Sequence, residues 1–237
     1  YAYVNGAFVR HGDACVHIED RGYQLADAVY EVWALFDGKL ADPEGHFARL
    51  ERSAAALHLA LPWTRAEMLA EIRRTVAAFR QAASFDHEVY IRLQVSRGGG
   101  PIGLDVALAD RAEFVLLVQP CPANSAEVMR QGIRLSVAHS LRRNPIESLS
   151  PAWKTGNYLN NILGLREARS RGADDVVMLN LRGEVTEAAT SNIAFVRDGE
   201  VRTPPLEAGI LEGITRGLLL RVIAPAVWDR FAQPQGG

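Results

Sequence analysis

Residues 88–96 constrain the fold most strongly, because apolar and polar side chains alternate there without a break. The apolar set would face one side and the polar set the other: Val89, Ile91, Leu93 and Val95 against Tyr90, Arg92 and Gln94. A period of two predicts a strand with one buried face. The polar face is either the wet side of a sheet or a receptor for a carboxylate, which the two-pronged guanidinium of Arg92 beside Tyr90 would suit.

Two helices are predicted before this strand. Asp42 and Pro43 supply an N-cap and a proline at the first helical position. Arg49 lies beside the apolar stripe of that helix, as a solvated arginine or as a phosphate ligand. Thr64 and Glu67 form a capping box for the second helix. Helices and strands are mixed along the chain, which indicates an α+β protein.

A glycine-rich stretch, Gly98 to Gly103, matches the G-x-G-x-x-G pattern of dinucleotide sites. Such a turn must open into a helix that holds the pyrophosphate. Pro101 interrupts this one, and the next regular element expected is a strand at 113–119. We therefore interpret the stretch as a flexible loop.

A linker-like composition at 119–125 predicts a domain boundary. We expect an N-terminal domain at 1–119, a linker at 120–126 and a C-terminal domain at 127–237. Strands are predicted beyond the linker at 133–139, 175–179, 184–187 and 191–196.

Composition excludes several classes of protein. The net charge of −2 and the pI near 6.3 give no reason to expect nucleic acid or an anionic membrane as partner. No apolar run approaches the roughly 20 residues that span a bilayer. Cys15 and Cys121 are isolated, with no metal-ligand spacing and no disulfide framework. With no signal peptide visible, we expect a reduced, cytoplasmic setting and no metal.

Lys154 stands out because the chain is poor in lysine. Lys39 and Lys154 are the only lysines among 26 basic residues, so arginine supplies the rest. Arginine stays protonated, whereas a partly buried lysine can lose its proton and attack a carbonyl. Lys154 precedes a predicted helix with Tyr158, Ile162, Leu165 and Ala168 at helical spacing and an end near Gly172. A surface lysine at a helix start is the plain alternative.

Two later features complete a recognisable set of groups. Glu187 is flanked by small residues, so a ligand could approach its carboxylate closely. Gly213 to Arg216 opens another helix, whose free N–H groups and Thr215 hydroxyl would suit a phosphate, although a plain helix start is the alternative. A lysine, a carboxylate and a phosphate-type helix start, in that order, are what a pyridoxal phosphate site requires.

The sequence from about Tyr3 to Val222 resembles the class IV, or fold-type IV, pyridoxal phosphate enzymes. These are the branched-chain aminotransferases, D-amino acid aminotransferases and aminodeoxychorismate lyases. Six motifs carry the resemblance: Glu19-Asp20-Arg21-Gly22-Tyr23, Val29-Tyr30-Glu31, His46-Phe47-Ala48-Arg49-Leu50, Lys154-Thr155-Gly156-Asn157-Tyr158-Leu159, Thr186-Glu187 with Asn192, and Gly213-Ile214-Thr215-Arg216. The resemblance implies a small N-terminal α/β domain, a larger C-terminal mixed-sheet or barrel-like domain, and a homodimer that shares its sites.

The family pattern also implies a role for each matching residue. Lys154 would be the Schiff-base lysine and the acid–base that moves the substrate proton. The other cofactor contacts would be Glu187 at the pyridinium nitrogen, Tyr158 at the ring oxygen, and Arg49, Ile214 and Thr215 at the phosphate. Tyr30 would line the substrate pocket, for its own or the partner subunit's site.

Substrate preference is divided among the motifs. The loop from Arg97 to Asp105 lacks the R-x-H motif of D-amino acid aminotransferases. Tyr90-x-Arg92, Gly103-Leu104-Asp105 and Lys154-x-Gly-Asn-Tyr158 resemble branched-chain aminotransferases, whereas residues 21–32 are more similar to the D-amino acid enzymes. We expect ping-pong transfer of an amino group from a branched-chain L-amino acid to a 2-oxo acid. The alternatives are a D-amino acid aminotransferase, an aminodeoxychorismate lyase and a non-catalytic dimeric module.

The family normally continues well past the helix that follows Thr215. Here the pattern stops after about Val222, so the C-terminal domain is expected to be incomplete. We expect residues to be missing near Ile223 and Ala224.

Overall fold

The computed structural model describes residues 2–109 and 111–223, which form parts of two compact units. The first unit comprises Tyr1–Ser125 together with Trp153–Asn157, and the second comprises Ala126–Ala152 and the chain from Tyr158 onward. The chain thus returns to the first unit only for the short segment around Lys154. The domain bounds 1–119 and 127–237 stay a prediction, and Ala224 lies outside the described residues.

The first unit is built on a six-stranded sheet in the order β2-β1-β6-β5-β3-β4. All neighbouring strands are antiparallel. The elements are β1 (Ala2–Val4), β2 (Ala7–Val9), α1 (Arg21–Leu25), β3 (Ala28–Phe36), β4 (Lys39–Leu40), α2 (Pro43–Ala56), α3 (Arg65–Ala83), β5 (Val89–Ser96) and β6 (Glu113–Pro120).

The alternation predicted for residues 88–96 is confirmed. Val89, Ile91, Leu93 and Val95 are fully buried, while Tyr90, Arg92 and Gln94 are half-buried on the other face. The buried face packs against α2 and α3, with Trp33, Phe47, Leu50 and Ile72 among the most buried side chains. This core fixes the strand register, and with it the face on which Arg92 lies.

Both predicted helix starts are confirmed. The Asp42 side chain accepts a hydrogen bond from Gly45 N, with Pro43 in the first turn of α2. Thr64 and Glu67 form the reciprocal capping box of α3. No helix able to hold a pyrophosphate follows the glycine-rich loop in the described chain, because a short 3-10 turn, Val106–Leu108, leads into β6. The interpretation of this stretch as a loop, and not as a dinucleotide turn, is therefore confirmed.

The second unit contains shorter elements. They are α4 (Ala126–Gln131), β7 (Leu135–Val137), α5 (Leu159–Ser170), β8 (Asp175–Val177), β9 (Phe195–Arg197), β10 (Glu200–Arg202) and α6 (Ile214–Leu218). β7 and β8 pair in parallel, and β9 and β10 form an antiparallel hairpin. The core of this unit consists of small and medium side chains from α5, β8 and neighbouring loops: Ala138, Ala168, Ala173, Val176, Met178 and Ala189.

Two predictions for the second unit are wrong in detail. No strand forms at 184–187, where a tight turn closed by Ala188 N to Ser191 O leaves isolated bridges such as Glu187–Asn192. The buried face of α5 is Asn161, Gly164 and Ala168 rather than the stripe through Ile162, which is exposed. Gly164 is favoured there because a Cβ would already touch Met178.

Among the described residues, no helix has the length and apolar character needed to cross a membrane.

Candidate active site

The main chain around Lys154 is attached to the edge of β3. Tyr30 N donates to Lys154 O at 3.0 Å, and Gly156 N donates to Ala28 O at 3.2 Å. A bridge between Val29 and Thr155 completes the pairing. The segment therefore lies against β3 as a short extended strand, which fixes the backbone from which the lysine side chain projects.

Ser53 on α2 provides a further anchor for this segment. Its Oγ accepts a hydrogen bond from Lys154 N at 3.0 Å and donates to Arg49 O at 2.9 Å. Ser53 is 1% exposed, so both bonds are shielded from water. One hydroxyl thus connects the backbone of Lys154 to that of Arg49, although the two residues are far apart in the sequence.

The Lys154 side chain lies beside Tyr30 and its neighbours on the polar face of the sheet. Lys154 Nζ is 3.4 Å from Tyr30 Oη and 4.5 Å from the centroid of its ring. The Arg92 guanidinium stacks over the same ring, with Cζ 3.8 Å from the centroid. An amine, a phenol and a guanidinium are therefore gathered at one place within the first unit.

Arg92 retains donors for a ligand. Within the described part of the chain, only Gln94 accepts a hydrogen bond from its guanidinium, at 3.0 Å. Tyr90 lies two residues before Arg92 on the same face of β5, and the register places it opposite Ala34. The two residues predicted to bind a carboxylate are thus side by side and half-buried.

Arg49 is buried rather than solvated. Its Nε donates to Glu31 Oε1 at 2.7 Å and its Nη2 to Glu31 Oε2 at 2.8 Å. His46 Nδ1 lies 2.7 Å from Glu31 Oε2. Burial raises the pKa of Glu31, but the hydrogen bonds and positive charge of Arg49 and His46 outweigh it and hold that pKa below its ordinary value. The fork of Arg49 is therefore held rigidly by a buried carboxylate.

Glu187 lies in the second unit and is 5% exposed. Arg143 Nε and Nη2 each approach Glu187 Oε1 at 2.9 Å. Leu211 N donates to Oε2 at 3.0 Å, and Asn192 Nδ2 lies 3.3 Å from the same oxygen. Several donors on both oxygens are what a buried carboxylate anion requires.

The glutamate and the predicted phosphate region are connected through Asn192. Besides contacting Glu187, its Nδ2 donates to Leu211 O at 2.9 Å. Gly213 caps α6, and a Cβ at that position would overlap Asn192 Oδ1. Ile214 and Thr215 open α6 directly afterwards. The second unit therefore brings together the motifs around Glu187 and around Thr215, which the sequence separates.

Tyr158 is the residue that precedes α5, and it is half-buried in the second unit. Asn161, one turn further along, donates to Ala189 O at 2.7 Å and lies 3.4 Å from Arg143 Nη1. The start of α5 is thus connected to the loop that follows Glu187.

Some residues of the site cannot be singled out from the sequence. Arg143 lies in a polar loop with a second arginine beside it, and nothing local distinguishes the two. Ser53 is one small residue on a helix. Glu31, His46 and Asn192 lie within motifs that carry the resemblance, and that position is the signal that could have identified them.

The chemistry of these groups fits a phosphorylated aldehyde cofactor. Lys154 offers an amine, Arg49 a positioned guanidinium, and Glu187 a buried carboxylate for a ring nitrogen. A pyridinium N–H would add to, or replace, one of the donors that already face Glu187.

Comparison with known proteins supports this assignment. The sequence model of the family described as Amino-transferase class IV matches residues 28–235. A protein of Methanocaldococcus jannaschii, provisionally named a branched-chain-amino-acid aminotransferase, is 34% identical over 220 residues, covering 93% of this chain and 73% of the relative. A D-alanine aminotransferase of Staphylococcus epidermidis is 31% identical over 220 residues, covering 92% and 73% of the two chains.

Solved structures show the same fold. A branched-chain amino acid aminotransferase from Escherichia coli superposes with a TM-score of 0.86 at 26% identity, covering 96% of this chain and 75% of that one. A T.th. branched-chain amino acid aminotransferase, solved with pyridoxamine 5'-phosphate, gives a TM-score of 0.84 at 27% identity, covering 95% and 73%. The predicted α+β class and fold-type IV architecture are thereby confirmed.

Proposed function

Because the chain belongs to the class IV aminotransferase family, whose enzymes use pyridoxal phosphate, we propose that it transfers the amino group of a branched-chain L-amino acid to a 2-oxo acid. The reaction proceeds as two half-reactions in which the amino acid leaves as a keto acid before the acceptor binds. The observation that carries this proposal is the placement of Arg92, Tyr30 and Lys154 together on one face of the sheet.

In this proposal, pyridoxal 5'-phosphate supplies an electron sink that makes the substrate α-proton removable. Lys154 bonds the cofactor aldehyde and Glu187 pairs with its ring nitrogen. The remaining contacts are Tyr158 at the ring oxygen, and Arg49, the N–H of Ile214 and the hydroxyl of Thr215 at the phosphate. The rigid Arg49–Glu31 pair supports the phosphate role, because a fork that is already oriented loses little entropy on binding an anion.

Lys154 moves the proton from the substrate α-carbon and returns it to the opposite end of the reacting system. Its fixed backbone and the nearby Tyr30 hydroxyl restrict the arc through which Nζ can move. Arg92 and Tyr90 bind the substrate carboxylate, since Arg92 has donors beyond the one given to Gln94. Tyr30 lines the substrate pocket of its own chain's lysine.

The loop after β5 favours a branched-chain substrate over a D-amino acid. Arg97 is the only arginine between 97 and 105. Its Nε and Nη2 donate to Asp27 at 2.7 and 3.0 Å, and its Nη1 and Nη2 donate to His58 O and Leu57 O. This arginine is therefore occupied within the fold. The D-amino acid alternative is kept because curated relatives carry that name and residues 21–32 resemble it.

We further propose that the enzyme acts in the cytoplasm as a homodimer.

The test is to assay the purified protein with 2-oxoglutarate and either L-leucine or D-alanine, measuring glutamate formed. L-leucine should be the better donor, and Arg92→Lys should raise its KM roughly 10- to 100-fold, because a forked contact to a carboxylate is lost. Arg10→Lys, at an exposed position, is the matched control. Activity with D-alanine alone would overturn the branched-chain proposal. Pyruvate release from aminodeoxychorismate without any acceptor would indicate the lyase instead.

A further inference from the structure

A groove in the first unit lies between the β3–β4 hairpin and helix α3. It has a volume of about 540 Å³ and is lined at one side by Leu35 and Leu40. Leu35 is five residues along β3 from Tyr30, so the groove is about 16 Å from the strand position that contacts Lys154. None of its lining residues belongs to the site proposed above.

The floor and walls of the groove are apolar. Leu69, Ile72 and Val76 line it from α3, and Ile72 and Val76 are almost fully buried. A pocket of a few hundred Å³ with an apolar lining is the usual size for a small-molecule site. The walls therefore suit a hydrocarbon group rather than a fully polar ligand.

The charged groups that line the groove are all cationic: Lys39, Arg73 and Arg80. Within the described chain, the side chains of Lys39 and Arg73 make no hydrogen bond or ion pair, and the buried Arg80 Nε has no hydrogen-bond partner. The nearest acids are turned to other tasks: Glu71 pairs with Arg74, and Asp86 is highly exposed and 4.0 Å from Arg80 Nη1. A buried donor without an acceptor has a free-energy cost that an anion would remove.

We propose that this groove binds an aliphatic monocarboxylate. The hydrocarbon tail lies along Leu69, Ile72 and Val76, and the carboxylate faces Lys39, Arg73 and Arg80. The chemistry combines an apolar wall with an unbalanced positive rim, so neither an alcohol nor an amine of the same length satisfies it. This site is independent of the transamination proposed above.

The test is a calorimetric titration of the full chain with octanoate, compared with octanol and octylammonium of equal tail length. Octanoate should bind most tightly, and its affinity should fall as salt is raised. Arg73→Gln should weaken binding roughly three- to fivefold, and a Lys39→Gln, Arg73→Gln double variant about tenfold. Arg74→Gln, one position along α3 and outside the groove, is the matched control.

Ala77→Phe supplies a second test, because Ala77 is an exposed residue that lines the groove. The added ring should fill the groove and abolish octanoate binding while transamination is unchanged. Equal binding of octanol, or loss of octanoate binding with Arg92→Lys but not with Arg73→Gln, would overturn the proposal. Absence of octanoate binding at millimolar concentration would also overturn it, whatever the aminotransferase assay shows.

Discussion

Glu31 is a fully buried carboxylate that depends on Arg49 and His46 for its hydrogen bonds. Replacing it by glutamine leaves the Arg49 guanidinium buried without a counter-charge. We expect Glu31→Gln to lower the free energy of unfolding by about 3 kcal/mol. Urea denaturation of the purified variant measures this loss.

A surface ion pair gives the matched control for that experiment. Glu51 pairs with Arg65 at 2.6 Å, but the two side chains are 44% and 39% exposed. Glu51→Gln should therefore change the free energy of unfolding by less than about 1 kcal/mol. Equal losses for the two variants would show that the buried cluster has no special role.

Ser53 is the second residue whose effect can be isolated. Ser53→Ala removes the acceptor for Lys154 N and leaves a part-buried N–H without that partner. We expect a loss of about 1–2 kcal/mol in stability and a fall in kcat, since the lysine backbone loses an anchor. Ser170→Ala, whose hydroxyl bonds to Glu167 O on an exposed helix end, is the control and should change neither quantity. An unchanged kcat in Ser53→Ala would contradict the anchoring role.

At the scale of single residues, the sequence is most informative where rarity or a motif draws attention. Lys154 stands out because the chain has so few lysines, and Glu187 because small residues flank it. Arg49 stays ambiguous in the sequence, since its burial depends on Glu31 in a separate strand. Ser53 and Arg143 escape prediction because their partners lie tens of residues away, and no local pattern records such contacts.

Among the elements, the loop after β5 is held by Arg21 of helix α1. Its Nη1 donates to Gly103 O at 2.8 Å and its Nε to Asp27 at 3.2 Å, and the side chain is almost fully buried. Lysine keeps the charge but has no fork, so it cannot make both contacts. Arg21→Lys should speed amide hydrogen exchange at 99–106 by about tenfold, with Arg10→Lys unchanged. Equal exchange in both variants would mean that Arg21 does not hold the loop.

Element types are predictable where the information is local. Alternation predicts β5, and capping residues predict the starts of α2 and α3. The prediction of two strands around Glu187 fails, because the Ala188–Ser191 turn and the Asn192 contacts hold this region in an irregular path. The predicted buried face of α5 is wrong because Asn161 is buried by hydrogen bonds rather than by hydrophobicity.

For the whole molecule, two buried carboxylates make stability depend on pH. Burial raises the pKa of Asp27, but hydrogen bonds and charge from Arg97 and Arg21 outweigh it, so its pKa lies below the ordinary 3.8. The pKa of Glu31 likewise lies below 4.5. The unfolded chain therefore binds protons more readily than the folded one at these two residues.

The consequence is a loss of stability as the pH falls. The contribution of both carboxylates is fully present above about pH 5 and is lost as the pH falls through their folded-state pKa values. Urea unfolding at several pH values should show this decline, and Asp27→Asn should make it shallower. A variant with the same pH dependence as the parent protein would contradict the assignment of Asp27.

The bond between Lys154 and the cofactor is directly testable, because the chain has only two lysines. The measurement is to incubate the purified protein with pyridoxal 5'-phosphate, reduce it with borohydride, and locate the added mass by peptide mass spectrometry. We predict a phosphopyridoxyl group on Lys154, lost when L-leucine is added before reduction, with Lys39 unmodified. Modification of Lys39 alone, or of neither lysine, would contradict the assignment of Lys154.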